Sequence, residues 1–296
     1  MSFFILINTL KLMGKGYVEM KIVRILNNNS IVAKDENQQE FVLLGAGLGF
    51  NKVRGDVVDE AKIEKKFAPT DGKIANQFME LVNNISMDCI LYSQQVIEEA
   101  KINYGKKLAD TIYISLPDHI ANALENAKKG MLIRNPLLHD IKRFYKDEYA
   151  IGEAALRVIK EKTGVILPTD EAAYIALHFV NAEIGETKDT AIEITKIMQE
   201  ISNIVKNFFK VEYNEESLNY YRYITHLKFF AQRIITRTNY PDGDDDLLNL
   251  VIKKHSREYE CVLEITDFLE EKFGYSISSD ERLYLTVHIA RVVNAM

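Results

Sequence analysis

Two histidines, His178 and His288, occupy the same position in two stretches of the chain that repeat one another 110 residues apart. KTGVILPTDEAAYIALHFVNAE begins at residue 162 and KFGYSISSDERLYLTVHIARVV at residue 272. They share, in order and without a gap, a lysine, a glycine, an Asp-Glu pair, a tyrosine and the histidine. Histidine has a pKa of about 6.5, so a neutral and nucleophilic imidazole is available at cellular pH. A lone histidine on an apolar helix face is more often a packed core residue, but the duplication marks these two as candidates for chemistry.

Each of these histidines lies in a segment that is predicted to be a helix with a capped start. A hydroxyl residue, Thr169 or Ser279, stands where a helix N-cap belongs, and the acidic pair that follows complements the helix dipole. The histidines come about two turns later, and the tyrosine four residues before each lies on the same helix face. The pattern therefore predicts that two helices position the two imidazoles in the same way.

The composition is that of an ordinary intracellular protein. The chain has 296 residues, 47% of them hydrophobic and 27% charged, which is enough for two or three domains with buried cores. Its two cysteines, Cys89 and Cys261, lie far apart and support neither a disulfide framework nor a cysteine-rich metal site. The apolar run of residues 3–12 is too short to span a bilayer and lacks the basic flank of a secretory signal. We therefore expect a cytoplasmic protein without membrane insertion.

The formal net charge of −6 is unevenly distributed. Residues 20–75 carry nine basic and eight acidic side chains, whereas residues 76–296 carry a net charge of −8. Bulk charge of this kind does not indicate nucleic-acid binding. If the N-terminal part binds RNA, geometry and a few placed contacts must do more than bulk charge.

Residues 20–44 show the pattern of a β meander. Three short runs rich in Ile, Val, Leu and Phe, at residues 20–26, 30–34 and 40–44, are separated by turn-prone polar residues. The string GAGLGF that follows lacks the third glycine of a dinucleotide fingerprint and precedes no helical pattern, so we reject that interpretation. A sheet domain of about 55 residues is marginal alone, so we expect it to complete its core by pairing with a second copy.

From about residue 71 onward the pattern is helical. Apolar residues step by threes and fours at 74, 78, 81, 82 and 85, and again at 137, 138, 141, 144 and 145. A polar joint with a helix breaker at residues 185–189 divides this region in two. The sequence therefore predicts a multidomain protein in which a small antiparallel all-β domain precedes two homologous all-α helical bundles.

Motifs along the chain resemble, in order, those of the BglG/SacY/LicT family of bacterial transcriptional antiterminators. They are KIVRILNNNSIVAKDENQQEFVLLGAGLGF, GDVVDEAKIEKKF, LPDHI, RFYKDEYAIGEAAL, ALHFVNAE, HLKFFAQRI and LTVHIARV. The resemblance implies a co-antiterminator (CAT) RNA-binding domain with its linker at residues 20–75. It also implies two regulation domains of the sugar phosphotransferase system (PRDs), at residues 76–188 and 189–296. Residues 1–19 lie outside it, and we expect them to be a translated leader rather than a functional element.

Proteins of this family bind, as dimers, a short hairpin in a nascent leader transcript. Binding prevents an overlapping terminator from forming, so that a sugar-use operon is transcribed. The resemblance looks strongest to the β-glucoside members, and it implies the same function here, with no enzymatic activity and no cofactor. It also implies that the N-terminal domain alone binds the hairpin as a homodimer.

The resemblance places the family's phosphoacceptor histidines at His119 and His178 in the first regulation domain and at His226 and His288 in the second. The implied partners are two phosphoryl donors with antagonistic effects. The sugar-specific permease inactivates the protein through the first domain, and the histidine phosphocarrier protein HPr activates it through the second.

A phosphoryl group adds roughly −1.5 to −2 charge, so phosphorylation inside a helical interface changes how helices pack. In the second domain, Lys228, Arg233 and Arg291 are near the acceptors in sequence and could receive that charge. The remaining histidines, His139 and His255, match no acceptor motif, and we assign them to structure or solvent.

For RNA contact the resemblance points to seven residues near the start of the CAT domain: Lys21, Arg24, Asn27, Asn29, Gly45, Gly47 and Phe50. Amides read base edges, basic side chains hold phosphates, glycine backbones approach closely, and an aromatic ring stacks on an unpaired base. A structural interpretation is also open, in which the asparagines form a turn, the glycines a loop, and the phenylalanine part of the core. Several relatives have a basic residue between the first two glycines, where this chain has Ala46.

Two other functional classes rank below antitermination. Paired regulation domains also occur in DNA-binding activators, but those carry helix-turn-helix modules, for which the strand-rich N-terminal part has no room. A metal-dependent or phosphoryl-transfer enzyme would explain histidines next to acids, as in Asp118-His119. The chain, however, contains no H-E-x-x-H motif, no G-x-x-x-x-G-K-[ST] motif and no tight metal-ligand spacing.

Overall fold

The computed structural model describes residues 20–68, 72–185, 190–238 and 245–294. The predicted leader at residues 1–19 and most of the predicted joint at 185–189 lie outside these residues. Backbone contacts divide the chain into two compact units. The first comprises the described residues up to 135 together with 147–185, and the second comprises 136–146 together with the described residues from 190 onward.

The first unit begins with an antiparallel sheet of four strands in sequential order: β1 (Lys21–Asn27), β2 (Ser30–Lys34), β3 (Glu40–Leu44) and β4 (Lys65–Phe67). The three strands predicted from the sequence are therefore confirmed. Strand β4 was not predicted, because it has only three residues, two of them lysines, and so shows no apolar alternation.

The two faces of this sheet are covered by different parts of the first unit. Ile31, Ala33 and Leu43 pack with the loops of the CAT region, including Leu48 and Val58. The alternate positions, Val32, Val42, Leu44 and the β4 residue Phe67, belong to a second core that also contains helical residues of this unit. The chain thus buries residues on both faces of the sheet itself, and the expected pairing with a second copy stays a prediction.

Six helices follow in chain order: α1 (Gly72–Asn84), α2 (Met87–Tyr104), α3 (Ile112–Lys128), α4 (Leu138–Phe144), α5 (Lys146–Thr163) and α6 (Thr169–Ile184). Helix α1 packs against β1 and α3, and α3 also packs against α2 and α6. The ring of Phe67 lies 4.8 Å from that of Phe78 on α1. Gly152 on α5 allows a close crossing with α6, because a Cβ there would overlap the carbonyl oxygen of Ala172.

Five further helices complete the described chain: α7 (Thr190–Phe209), α8 (Leu218–Thr236), α9 (Asp245–Lys254), α10 (Ser256–Phe273) and α11 (Ser279–Val293). Helix α8 packs against α7 and α11, while α11 also packs against α9 and α10. The sheet followed by repeated helical regions confirms the predicted fold class. No helix among the described residues is both long and apolar enough to cross a membrane.

Helix α4 belongs to the second unit although it lies between α3 and α5 in the sequence. It packs against α7, and the hydroxyl of Tyr145 lies 3.2 Å from the hydroxyl of Thr195. The next residue, Lys146, pairs with Glu216 at 2.7 Å. Residues 136–146 are therefore held by side chains of the second helical region.

The predicted N-caps of the two repeated helices are wrong by one residue. Thr169 and Ser279 are the first helical residues of α6 and α11, and the caps are Pro168 and Ser278. The hydroxyl of Ser278 accepts a hydrogen bond from the backbone of Glu281, whose carboxylate accepts one from the backbone of Ser278. This reciprocal capping box is specific to the second repeat, because Pro168 has no side-chain acceptor.

Candidate functional site

The packing of α3 on α6 brings together the first two candidate histidines. His119 on α3 and His178 on α6 have ring centroids 4.9 Å apart, and both side chains are half-buried. The ring of Tyr174, one turn before His178, lies 5.9 Å from that of His119. The first helical repeat therefore contains a compact pair of imidazoles at the contact between two helices.

A buried carboxylate faces this first pair. Nε2 of His119 lies 2.9 Å from Oε2 of Glu171, although the angles do not fit a hydrogen bond between these two atoms. Glu171 is in the first turn of α6 and its side chain is only 6% exposed. The hydroxyl of Tyr174 points elsewhere and donates to the carbonyl of Arg134. The carboxylate of Glu171 is thus the polar group aimed at His119.

The second repeat contains an equivalent pair with a different neighbour. His226 on α8 and His288 on α11 have ring centroids 3.9 Å apart. The ring of Tyr284 lies 5.0 Å from His226 and 4.5 Å from His288, and its hydroxyl bonds to Nδ1 of His226. The second pair is therefore in contact with a tyrosine hydroxyl. Among the described residues, no carboxylate contacts it.

The surroundings of the second pair disfavour the charged form of both imidazoles. Burial lowers the pKa of His288 to about 4, helped by the nearby charges of His226 and Arg291. Burial also lowers the pKa of His226, and the charges of Arg291 and Arg222 act in the same direction. A neutral imidazole is the nucleophilic form, so this pair is suited to accept an electrophilic group at pH 7.

Glu281, which corresponds to Glu171 in the second repeat, is paired with an arginine and a tyrosine hydroxyl. One carboxylate oxygen of Glu281 accepts a hydrogen bond from Nε of Arg233 at 3.1 Å, and the hydroxyl of Tyr275 donates to both oxygens at 3.0 and 3.2 Å. Glu281 also closes the capping box of α11. Arg233, which the sequence suggested as a receiver of phosphoryl charge, is therefore already committed to a carboxylate.

The remaining histidines and Lys228 have other surroundings. His139 is exposed, and His255 precedes α10, where its Nδ1 lies 3.7 Å from Glu258. The ammonium group of Lys228 lies over the ring of Tyr145, 5.3 Å from its centroid. Among the described residues, no group of three or more His, Cys, Asp or Glu side chains is placed to hold a metal ion.

Five of the seven candidate RNA residues gather at one end of the sheet, where the β1–β2 turn meets the loop after β3. The carbonyl of Asn29 accepts a hydrogen bond from the backbone of Gly45 at 2.9 Å. Its side-chain oxygen accepts one from the backbone of Gly47 at 2.8 Å. Phe50, in the same loop, is 59% exposed. The structure thus presents an amide, a glycine loop and an aromatic ring on one surface.

Two of these residues also have structural roles. The side chain of Asn27 accepts from the backbone of Asn29 at 2.9 Å and donates to the carbonyl of Val82 on α1 at 2.8 Å, so its amide is used within the protein. Gly45 is required by packing, because a Cβ there would overlap the carbonyl oxygen of Lys62. By contrast, the exposed ring of Phe50 excludes the core interpretation of that residue.

The two basic candidates lie farther along β1. Lys21 is the first residue of the strand and lies opposite Lys34. Because it is six residues from Asn27, the two are about 20 Å apart at a rise of about 3.3 Å per residue. Arg24 lies midway, is exposed, and contacts the sulfur of Met79 on α1. The structure therefore does not bring Lys21 to the glycine loop.

Comparison with known protein families matches almost the whole described chain. Residues 20–76 match the CAT RNA binding domain, and residues 94–182 and 199–292 match the PRD domain. Each PRD match contains one of the two histidine pairs. The chain belongs to the family of transcription antiterminators that carry these domains.

Individual relatives agree with this assignment. The transcription antiterminator LicT of Bacillus subtilis is 50% identical over 274 residues, which cover 93% of this chain and 99% of that protein. The β-glucoside operon antiterminator of Dickeya chrysanthemi is 40% identical over 273 residues, or 92% of this chain and 96% of that protein. The structural alignment with a crystal structure of GlcT CAT-PRDI covers 56% of this chain and 98% of the GlcT chain, with 33% sequence identity and a TM-score of 0.48.

Sequence reasoning missed the groups that surround the imidazoles in this antiterminator. The sequence pattern indicates Glu171 only as a partner of the helix dipole, and it singles out neither Arg222 nor the contact of the Tyr284 hydroxyl with His226. Aligning His119 with His226, at an offset of 107, would have shown that the two repeats carry different charges around the same histidines.

The half-buried imidazole of His288 predicts a pH dependence of stability. Its pKa is about 4 in the folded state and near 6.5 in the unfolded chain, so the unfolded state binds more protons between these values. The free energy of unfolding should therefore gain a contribution from His288 as pH rises from about 4 to 6.5. We expect His288→Asn to reduce the slope of the free energy of unfolding against pH across this window, as measured by urea unfolding. The exposed control variant His139→Asn should keep the wild-type slope. Identical slopes for wild type and His288→Asn would contradict the assignment.

Proposed function

We propose that this antiterminator binds, as a homodimer in the cytoplasm, a hairpin in the leader transcript of a sugar-use operon, most closely a β-glucoside operon. Binding prevents an overlapping terminator from forming. Phosphorylation of His119 and His178 by the sugar-specific permease inactivates the protein, and phosphorylation of His226 and His288 by the phosphocarrier HPr activates it. The observation that carries this proposal is the pairing of candidate acceptor histidines in both PRD matches, with rings 4.9 and 3.9 Å apart.

The geometry supports phosphoryl acceptance because the imidazoles lie at helix contacts and remain partly exposed. In the transfer, a ring nitrogen attacks the phosphorus of the donor's phosphoryl group, a new N–P bond forms, and the bond between the donor and phosphorus breaks. The acceptor ring releases a proton, and the leaving group of the donor takes one up. The two charges that the group adds then act on the helices that carry each pair.

The loop end of the sheet supports RNA binding through shape and a few placed groups. The exposed ring of Phe50 is available for stacking on an unpaired base, and the side chain of Asn29 lies beside the glycine loop. Relatives named as antiterminators cover the same regions of sequence. The homodimer rests on the family resemblance, because the sheet faces are covered within the chain.

Replacing Phe50 by alanine should weaken hairpin binding by about 1–3 kcal/mol, the range for loss of one stacked base. Its ring is exposed, so the fold should be unaffected. Asn29→Ala should have a similar or larger effect, because it also removes the hydrogen bond to the loop at Gly47. The measurement is a gel shift of the full chain with leader hairpin RNA, with duplex DNA of the same sequence as the competitor.

The matched control is Asn28→Ala in the same turn. Its side chain is exposed, and the backbone carbonyl that accepts from Gly49 is kept, so RNA affinity should change little. Equal affinities for all three variants and the wild type would exclude this surface as the RNA site. Preference for duplex DNA would instead overturn antitermination in favour of a DNA-binding activator.

A further inference from the structure

The two histidine pairs lie in opposite electrostatic surroundings. In the first repeat the Glu171 carboxylate lies 2.9 Å from His119, with no arginine or tyrosine on it among the contacts of the described residues. In the second repeat the equivalent carboxylate, that of Glu281, binds Arg233 and Tyr275. The hydroxyl of Tyr284 contacts His226 instead. The first pair therefore has a carboxylate in contact, whereas the equivalent carboxylate of the second repeat is paired with an arginine and a tyrosine hydroxyl.

The difference extends to Arg222 and Arg291, whose charges act on the second pair, and to Arg233, which pairs with Glu281. Aligning the helices that carry the histidines, at offsets of 107 and 110, gives the residue of the first repeat at each position. In place of Arg222, Arg233 and Arg291, the first repeat has Ser115, Asn126 and Asn181. Three cations are thus replaced by three uncharged side chains while the glutamate is kept.

We propose that this charge difference determines how each PRD responds to phosphorylation, so that the phosphoryl group is stabilised on the second pair and destabilised on the first. The inference rests on the proposed phosphorylation and adds its residue-level cause. Two negative charges added beside Glu171 repel a buried carboxylate that has no arginine partner among the described residues, which favours displacement of the first turn of α6. The same charges on His226 or His288 meet Arg222 and Arg291, which favour the packed arrangement of α8 and α11.

The same charges control the lifetime of the phosphohistidine. Hydrolysis requires a proton on the phosphorylated ring, after which water attacks phosphorus, the N–P bond breaks, and orthophosphate and imidazole are released. Nearby arginines disfavour that proton, and a nearby carboxylate favours it. The phosphoryl group should therefore survive longer on the second pair than on the first.

The test uses the full chain and potassium phosphoramidate, a small donor that needs no protein docking. Its P–N bond breaks as the imidazole N–P bond forms, and ammonia leaves. After the reagent is removed, the loss of phosphoryl from each histidine is followed by 31P NMR and peptide mass spectrometry. We expect a lifetime on the order of tenfold longer on the second pair, which corresponds to about one pKa unit.

Substitutions that give one repeat the charges of the other test whether these charges set the lifetime. Glu171→Gln, which keeps the side-chain volume, and Asn126→Arg, which supplies the missing arginine, should each lengthen the lifetime on the first pair severalfold. Arg233→Asn and the exposed Arg291→Asn should shorten it on the second. Arg291→Asn keeps the test valid if loss of Arg233 leaves Glu281 unpaired and unfolds the domain. The control is Glu125→Gln, which removes an exposed charge from α3 and should change neither lifetime.

Equal lifetimes on the two pairs, or variants that leave them unchanged, would overturn this inference. Absence of phosphoryl uptake at all four histidines would overturn it as well. The proposed function is tested separately by hairpin binding. Loss of RNA binding with lifetimes that still differ would count against the proposed function alone, and intact RNA binding with equal lifetimes would count against this inference alone.

Discussion

Replacing Lys106 by methionine is expected to lower the free energy of unfolding by about 3–5 kcal/mol, the range for removing one partner of a buried ion pair. Lys106 lies 2.6 Å from Glu148 and 2.8 Å from Glu183, and its side chain is only 14% exposed. Burial opposes its charge, but the two carboxylates outweigh burial and raise the pKa of Lys106 above its ordinary value. Without the lysine, two carboxylates remain close together in the interior of the first unit.

The measurement is urea unfolding at neutral pH, and Lys146→Met is the matched control. Lys146 pairs with Glu216 at a similar distance, 2.7 Å, but their side chains are 49% and 87% exposed, so its loss should cost about 1 kcal/mol at most. The penalty for Lys106→Met should shrink at acidic pH, because protonation relieves the repulsion between Glu148 and Glu183. Equal losses for the two variants would show that the buried network contributes no more than a surface pair.

Aspartate in place of the candidate acceptors should change read-through of a terminator reporter in opposite directions. His119→Asp places a negative charge beside Glu171 and should favour the inactive state. His226→Asp places one near Arg222 and Arg291 and should favour the active state. Coupling free energies of about 1–3 kcal/mol correspond to roughly 5- to 150-fold changes in the underlying equilibrium. The measurement is reporter expression with and without the inducing sugar.

Three comparisons make this result interpretable. His178→Asp and His288→Asp should follow the signs of their ring partners, and His139→Asp, at an exposed position outside both pairs, should have no effect. His119→Ala should release activity from the need for the sugar, because it removes the acceptor without adding charge. Responses of the same sign from both domains, with RNA binding intact, would eliminate antagonistic control.

Much of the fold follows from local patterns in the sequence. The apolar run of Ile31, Val32 and Ala33 between turn-prone residues identifies β2, and the apolar spacing around Phe78 identifies α1. Patterns fail where an element is short or where two similar residues compete. Strand β4 has one apolar residue in three, and in α11 a serine at both 278 and 279 leaves the cap ambiguous.

The candidate site was only partly predictable. Four histidines were identified, but their pairing depends on α3 meeting α6 and α8 meeting α11, which are contacts between helices distant in sequence. The glycine loop shows a second limit. Sequence reasoning assigned Gly45 to close approach of RNA, whereas the structure shows that the neighbouring backbone at Lys62 already excludes a side chain there. A glycine in the sequence indicates that another group approaches the backbone closely, but it does not show whether that group belongs to RNA or to the protein itself.

The placement of α4 has a consequence for how such proteins can be assembled from parts. Tandem copies of a domain are usually regarded as cassettes that recombination can duplicate, shuffle or delete at the joint between them. Here residues 136–146 are encoded within the first copy, yet Tyr145 and Lys146 are held by Thr195 and Glu216 of the second. A crossover at the joint would separate these partners. Exchange or deletion of one copy at that joint is therefore expected to leave Thr195 and Glu216 without these partners.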